Sequence, residues 1–329
     1  MADTPRSALT PSAAQPEMVV RAPIKLNLFL HINGRITEGR FQGYHQLQTY
    51  FQRIDYGDVL RFSRLDADRI VVDWHPGDEA ITHRPTAPEQ DLIWRAAEAL
   101  RRRALQASIA VPGVHIHLTK NAPIGGGLGG GSSAAGTTLR ALNDLWRLNF
   151  PPAVLLDIGR TLGADVPVFV AGLNAWAEGI GDQLIAMPSP VASNWFVIIA
   201  PAAHCATKAA FAHPLVKKDT PRLPSSELIH WKAHTNAFEA YCLTDPVIAQ
   251  CYAALQEATG FARVTGSGAC VFSPLPNEAE ARRAAAEISR KIKMTGRIIV
   301  APALADDPLS NASPRENLVK NPPEHLAKR

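Results

Sequence analysis

Everything in this chain is arranged about the stretch Pro123-Ile-Gly-Gly-Gly-Leu-Gly-Gly-Gly-Ser-Ser133. Six of the nine residues from Gly125 to Ser133 are glycine. Glycine adopts positive φ at no steric cost and lets a ligand approach the backbone with no Cβ in the way. A helix pattern follows at once, with Ala134, Ala135, Thr138, Leu139, Leu142 and Trp146 along its stripe and Ser132 as a natural N-cap. Bare amides feeding a helix N-terminus make an anion site, and the usual anion there is phosphate. A Gly/Ser linker is the competing reading. The run lies between a strand-like segment at 114–120 and a helix, which favours a phosphate loop.

The common phosphate loops do not fit. Gly125-x-Gly127-x-x-Gly130 matches the dinucleotide fingerprint literally, but that fingerprint needs a strand after the helix with an acid at its end. Here Pro151-Pro-Ala-Val-Leu-Leu-Asp-Ile-Gly159 follows, a second helix start with proline in its first turn. A Walker loop ends in Gly-Lys-Ser/Thr, and this one ends in Gly131-Ser132-Ser133 without lysine. The absence of any HRD or DFG sequence removes the protein-kinase set.

A chain of 329 residues is long enough for two domains. Its apolar content of 46% and charged content of 19% describe a soluble globular protein. The net charge is a mild +4, and the densest basic run is Arg101-Arg102-Arg103 on a helix face, so no nucleic-acid partner is expected. No apolar run reaches the length of a membrane span, and residues 1–18 lack the apolar core of a secretion signal. Cys205, Cys242, Cys251 and Cys270 form no CxxC pair and are expected as reduced, buried thiols. A cytoplasmic protein with no membrane partner is the expectation, either a monomer or a weak dimer.

Residues 1–18 and 306–329 are expected to be disordered. A strand is predicted at 19–33, where Ile24, Leu26, Leu28 and Leu30 alternate with Lys25, Asn27 and Phe29, so that Lys25 and Asn27 share a face. Further strands at 44–54, 59–62 and 70–74 are expected in one antiparallel sheet. Asp91 is expected to cap a helix at 92–107. His115 and His117 share a strand face, but two histidines without a third ligand are a weak metal signal, and no metal site is predicted. In Leu162-Gly-Ala-Asp-Val-Pro-Val-Phe-Val170, Asp165 is an acid in an apolar segment, which either caps a helix or does chemistry. Residues 188–193 mark the expected boundary between a first domain at 19–187 and a second at 188–305, the latter a small α+β sandwich.

Pro123-x-x-x-Gly-Leu-Gly-Gly-Gly-Ser-Ser133 closely resembles the phosphate loop of the GHMP kinases, the superfamily of galactokinase, homoserine kinase and mevalonate kinase. Four further stretches narrow the resemblance: Ala22-Pro-Ile-Lys-Leu-Asn-Leu-Phe-Leu30, Gly43-Tyr-His-Gln-Leu-Gln48, the Asp165 segment and Thr265-Gly-Ser-Gly-Ala-Cys-Val-Phe272. Together, in order from about residue 20 to about residue 310, they resemble the kinases of 4-diphosphocytidyl-2-C-methyl-D-erythritol.

That resemblance implies an α+β, two-domain GHMP kinase fold, with an N-terminal ribosomal-S5-like domain that binds ATP and a C-terminal ferredoxin-like domain. It implies ATP as co-substrate with Mg2+, and transfer of the γ-phosphoryl to the 2-hydroxyl of the methylerythritol moiety. Asp165 matches the family's catalytic acid, which accepts the hydroxyl proton, and Lys25 matches its electrostatic partner. The ATP phosphates fall to Pro123, Ile124, Gly125, Gly126, Gly127, Leu128, Gly129, Gly130 and Gly131, with Ser132 and Ser133 near Mg2+ and Lys120 against the nucleotide. Asn27, Tyr44, His45, Asp165, Thr207, Phe211 and Gly266 match the substrate side. His45 would hydrogen-bond the cytosine, with Tyr44 against one face of the base and Phe211 against the other. Ordinary core packing is the plainer alternative for Tyr44 and Phe211.

Two departures stand out. Asp91 occupies a position near the adenine where the family commonly has Asn, so it either changes a base contact or only caps the helix. The loop between Arg35 and Gly43 is longer than usual. Two other functions compete with this one. Another GHMP kinase, of the homoserine or mevalonate type, has no use for the cytosine motif Gly43-Tyr-His45. A non-catalytic GHMP-fold ligand sensor would be free to lose Lys25 or Asp165, and both are present.

Overall fold

The computed structural model describes residues 18–81, 84–191, 195–292 and 296–304. The expected arm at 1–18 and tail at 306–329 lie outside these residues except for Met18, which already pairs with Phe62 in the first strand. Residues 192 and 193 of the expected boundary lie outside them too.

β1 (Met18–Arg35) and β2 (His45–Leu65) form a long antiparallel hairpin. The segments at 44–54 and 59–62, read as separate strands, are one. The turn-like pair Gly57-Asp58 continues the ladder, and the register shift between Pro23↔Gly57 and Ile24↔Ile54 absorbs the extra residues as a bulge. β3 (Ile70–Pro76), β4 (Gly113–Lys120), β5 (Ala175–Glu178) and β6 (Gln183–Ala186) complete a six-stranded sheet in the order β3-β4-β2-β5-β6, with β1 along the remaining edge of β2. The sheet is not wholly antiparallel as predicted. β3 runs parallel to β4, because the chain crosses between them through helix α1 (Leu92–Gln106).

α1, α2 (Gly130–Leu145), α3 (Pro152–Leu162) and α4 (Val166–Ala171) are the helices of this half, and its core packs Ile93, Leu100, Leu139, Leu142 and Ile158 with Leu60, Phe62, Ile116 and Leu118 of the sheet. Asp91 caps α1: one carboxylate oxygen accepts from Ile93 N at 2.8 Å and Trp94 N at 3.4 Å, and the other accepts from Trp74 Nε1 at 2.8 Å. Both oxygens are engaged, so capping is the role this geometry gives it. α2 starts earlier than predicted. Its N-cap is Gly129, in the left-handed region at φ 72°, which places Ser132 and Ser133 inside the first turn rather than at the cap.

β7 (Trp195–Pro201), β8 (Arg263–Val264), β9 (Val271–Leu275) and β10 (Gly296–Pro302) make a second, antiparallel sheet in the order β10-β7-β9-β8. Around it lie α5 (Thr207–Ala212), α6 (Glu239–Cys242), α7 (Pro246–Thr259) and α8 (Glu278–Lys291). Asp245 and Asn277 cap α7 and α8, whose Ile248, Leu255, Ala281 and Ile288 share a core with Val197, Ile199 and Val271. Alternate residues of the same strands, Phe196, Ile198 and Phe272, cluster with Ile24, Leu26 and Leu28 of β1 and join the two halves. The four cysteines are free and buried. No helix among the described residues is long and apolar enough to cross a membrane.

Candidate active site

An open cleft of about 1350 Å³ lies at the junction of the two halves, with the glycine loop forming part of its wall. Gly125, Gly127 and Gly129 have φ of 75°, 79° and 72°. Left-handed residues at every second position turn successive N–H groups to one side, the geometry of a backbone anion nest. A Cβ on Gly127 would stand 2.3 Å from the Thr265 carbonyl, and one on Gly129 would stand 3.2 Å from Lys25 Cε. The loop is gripped from both sides. Lys25 N donates to Leu128 O at 3.0 Å, and Cys270 N donates to Gly126 O at 3.1 Å.

Lys25 lies on β1 with its side chain almost fully buried. Its Nζ donates to Asn27 Oδ1 at 2.6 Å and to the Gly127 carbonyl at 2.9 Å, lies 3.5 Å from Asp165 Oδ2, and sits 5.5 Å from the centre of the Phe51 ring. Asn27 is itself fixed, since its Nδ2 donates to Thr49 Oγ1 at 2.9 Å and its backbone N–H to Thr265 Oγ1 at 2.8 Å. Asp165 occupies the N-cap position of α4, yet its carboxylate accepts no capping hydrogen bond, and its side chain is about one-third exposed at the cleft. Of the two sequence readings for Asp165, capping is the one the geometry rules out.

Not every expected ATP contact faces the cleft. Gly125, Gly127, Gly129 and Ser132 line it, whereas Leu128 and Ser133 are buried behind the loop, and the Ser133 hydroxyl has no hydrogen-bond partner. Gly126 backs onto Cys270, Gly130 onto Ala122, Ile124 is exposed and Gly131 has open space around it; Pro123 precedes them as the entry to the loop. Lys120 is also buried, with Nζ 2.6 Å from Asp58 Oδ2, and burial lowers its pKa despite that partner. The other Asp58 oxygen accepts from Asn121 N at 2.8 Å and Ala122 N at 2.7 Å. The Asp58–Lys120 pair therefore braces the entry to the loop from beneath.

At the far end of the cleft, His45 and Phe211 stack with ring centres 4.7 Å apart and planes 15° apart, and Phe238 meets Phe211 edge-on at 4.8 Å. One face of Phe211 is thus covered by the imidazole. Tyr44 is 60% exposed and touches Phe41 edge-on. His45 Nε2 is buried without a hydrogen-bond partner, and burial, with Arg35 and Lys218 nearby, lowers its pKa. Thr207 Oγ1 is 2.8 Å from Ser267 Oγ, and the buried Gly266 lies against Gly127.

Sequence reading missed Asp58, which falls in the gap between the strands predicted at 44–54 and 59–62. It also missed the roles of Thr49, on β2, and of Thr265, just after β8, whose hydroxyls only the fold brings to Asn27. Among the described residues, the expected Lys25, Asn27, Tyr44, His45, Asp165, Thr207, Phe211 and Gly266 come together in one cleft.

The GHMP kinases N terminal domain family matches residues 91–173, and the GHMP kinases C terminal family matches residues 227–293. The 4-diphosphocytidyl-2-C-methyl-D-erythritol kinase of Tolumonas auensis is 42% identical over 273 residues, covering 81% of this chain and 87% of that protein. The kinase of the same name from Cupriavidus necator is 44% identical over 272 residues, covering 80% and 86%. A crystal structure of a 4-(cytidine 5'-diphospho)-2C-methyl-D-erythritol kinase superposes with a TM-score of 0.68 at 28% identity, covering 87% of this chain and 99% of that one. Homoserine kinase from Cytophaga hutchinsonii superposes at 0.63 with 17% identity, covering 89% and 96%, a likeness of fold alone.

Proposed function

The chain belongs to the 4-diphosphocytidyl-2-C-methyl-D-erythritol kinases of the GHMP superfamily, and on that footing we propose that Lys25 and Asp165 carry its phosphoryl transfer. The enzyme moves the γ-phosphoryl of ATP to the 2-hydroxyl of 4-diphosphocytidyl-2-C-methyl-D-erythritol in isoprenoid precursor synthesis. An alcohol is a poor nucleophile, and phosphoryl transfer needs alignment and charge stabilisation above all. The observation that carries the reading is an uncapped carboxylate and a fixed ammonium 3.5 Å apart beside the left-handed glycines.

Asp165 accepts the hydroxyl proton, because no backbone amide of α4 occupies its carboxylate. Lys25, held by Asn27 and Gly127, stabilises charge on the moving phosphoryl group and needs no rearrangement to do so. The N–H groups of the alternating loop receive the phosphates. Ser132, in the first turn of α2 and on the cleft wall, is the hydroxyl able to hold Mg2+, while the buried Ser133 instead packs the helix. Mg2+ supplies neutralisation of phosphate charge when bound.

His45 reads the cytosine as a neutral imidazole, its Nε2 free of protein partners, with Phe211 and Tyr44 beside it. Thr207 and Gly266 complete the substrate side. One chain supplies all these groups, which supports a monomer as the working unit, and four unbridged thiols suit the cytoplasm.

ADP release with ATP, Mg2+ and a panel of diphosphocytidyl-methylerythritol, methylerythritol phosphate, homoserine and mevalonate tests the substrate. Turnover with the cytidyl compound alone is expected. Asp165→Asn should keep the fold and lose about 10²–10⁴-fold in rate, and near-normal turnover by that variant would sink the base assignment.

A further inference from the structure

The parallel pair β3/β4 carries a side-chain cluster that phosphoryl transfer does not use. Val72 and Trp74, with Ile116 and Leu118, pack inward against the helices. The alternate residues Asp73 and His75 on β3, and His115 and His117 on β4, therefore project from the opposite face, with Asp73↔His117 in register. His117 Nδ1 lies 3.4 Å from His75 Nε2, and ligand atoms of Asp73, His75 and His117 all fall within 4.8 Å of one another.

We propose that Asp73, His75 and His117 form a binding site for a borderline transition-metal ion of the Zn2+ class. Two ligands on a tetrahedral ion with bonds of about 2.0–2.1 Å stand about 3.3–3.4 Å apart. The spacing of the two ring nitrogens equals that edge, and it is long for an N–H···N hydrogen bond. Asp73 is half exposed and can swing in as the third ligand. Its carboxylate is already oriented by His115 Nε2 at 2.7 Å, the outer-sphere partner such sites use to aim a ligand. Arg61, the cation facing His117 from β2, is engaged with Thr119 Oγ1 at 2.9 Å.

Two imidazoles and one carboxylate select Zn2+, Ni2+ or Cu2+ over Mg2+, which prefers an all-oxygen shell. The site is thus chemically separate from the Mg2+ of the kinase reaction. A bound ion would clip the edge strand β3 to β4 just before Lys120, since His75 pairs with Thr119 and Gly77 N donates to Lys120 O at 3.0 Å.

Equilibrium dialysis of the tag-free full chain against Zn2+ with excess Mg2+ tests this directly. The expected result is about one Zn2+ retained per chain, with a higher melting temperature. Affinity should fall at least tenfold in His75→Gln and in His117→Gln, and by about 10–100-fold in His115→Gln, the outer partner. Turnover with MgATP should be unchanged in His75→Gln. Failure of the wild-type chain to retain Zn2+, or equal retention by the His75→Gln and His117→Gln variants, would overturn the site.

Discussion

Lys25 Nζ stands 3.5 Å from the Asp165 carboxylate but only 2.6 Å from Asn27 Oδ1 and 2.9 Å from the Gly127 carbonyl. The ammonium is anchored by two neutral oxygens and faces the acid without being absorbed by it. An ammonium has three donors; two are used for anchoring, which leaves one for Asp165 or for a charge arriving in the cleft that Lys25 lines. The arrangement keeps a charge in place for a transition state rather than neutralising it in the resting enzyme.

Lys25→Met, similar in length but uncharged, should therefore lower kcat by about 10²–10⁴-fold while ATP still binds. Steady-state kinetics together with nucleotide titration check this. A variant that loses ATP binding in proportion to rate would mean that Lys25 only holds the nucleotide.

Gly127→Ala meets both a left-handed φ of 79° and the Thr265 carbonyl at 2.3 Å. The backbone strain alone costs about 1–2 kcal/mol, and the contact adds to it. Urea unfolding should show that loss, and KM for ATP should rise. Gly131→Ala is the control, because nothing lies within 4 Å of a Cβ there and its φ is not left-handed. Equal damage from both variants would contradict the packing argument.

Asp58→Ala removes the buried partner of Lys120 and the acceptor of the Asn121 and Ala122 amides. Breaking a buried pair from one side costs about 3–5 kcal/mol, so a clear fall in melting temperature is expected. A loss below about 1 kcal/mol would show the pair to be solvent-screened like a surface bridge.

His31 predicts an acid limit to stability. Burial, reinforced by His234, Arg263 and Lys217, pulls its pKa from 6.5 down to about 4. The folded chain thus binds fewer protons than the unfolded chain between these values. Stability is fully present above pH 6.5 and is lost as pH falls towards 4, by up to about 3 kcal/mol. Urea midpoints measured across that window should fall less steeply in His31→Gln than in the wild type. The same slope in both would exclude His31.

The glycine loop, the Asp91 cap and the alternation of Ile24, Leu26 and Leu28 with Lys25 and Asn27 were legible in the sequence because each is local: a composition, a spacing or a period. The predicted places of Phe29 and Leu30 are reversed, because a register shift after Asn27 turns Phe29 into the core and Leu30 to the cleft. Asp165 was ambiguous because its capping position is local but the ammonium facing it comes from a strand 140 residues earlier in the chain. Asp58 was hidden for a related reason. A Gly-Asp pair between two predicted strands reads as a break, and only the pairing of both residues with β1 overrides that signal. The parallel alignment of β3 escaped because strand direction is set by the crossover helix, not by the strand's own residues. The resemblance to a kinase family supplied roles for Tyr44, His45 and Phe211, but the stacking of His45 on Phe211 is a product of packing between distant segments.

The contact between Gly127 and Thr265 also has a bearing on biosynthesis. Gly127 emerges from the ribosome long before Thr265 is made, and at about 5–20 residues per second the interval is on the order of ten seconds. Through that interval the nascent loop lacks the turn that buttresses it. Nascent chains stalled before residue 265 should therefore fail to retain an ATP analogue that chains stalled well beyond β10 do retain. The order of synthesis itself would keep an incomplete kinase from engaging nucleotide.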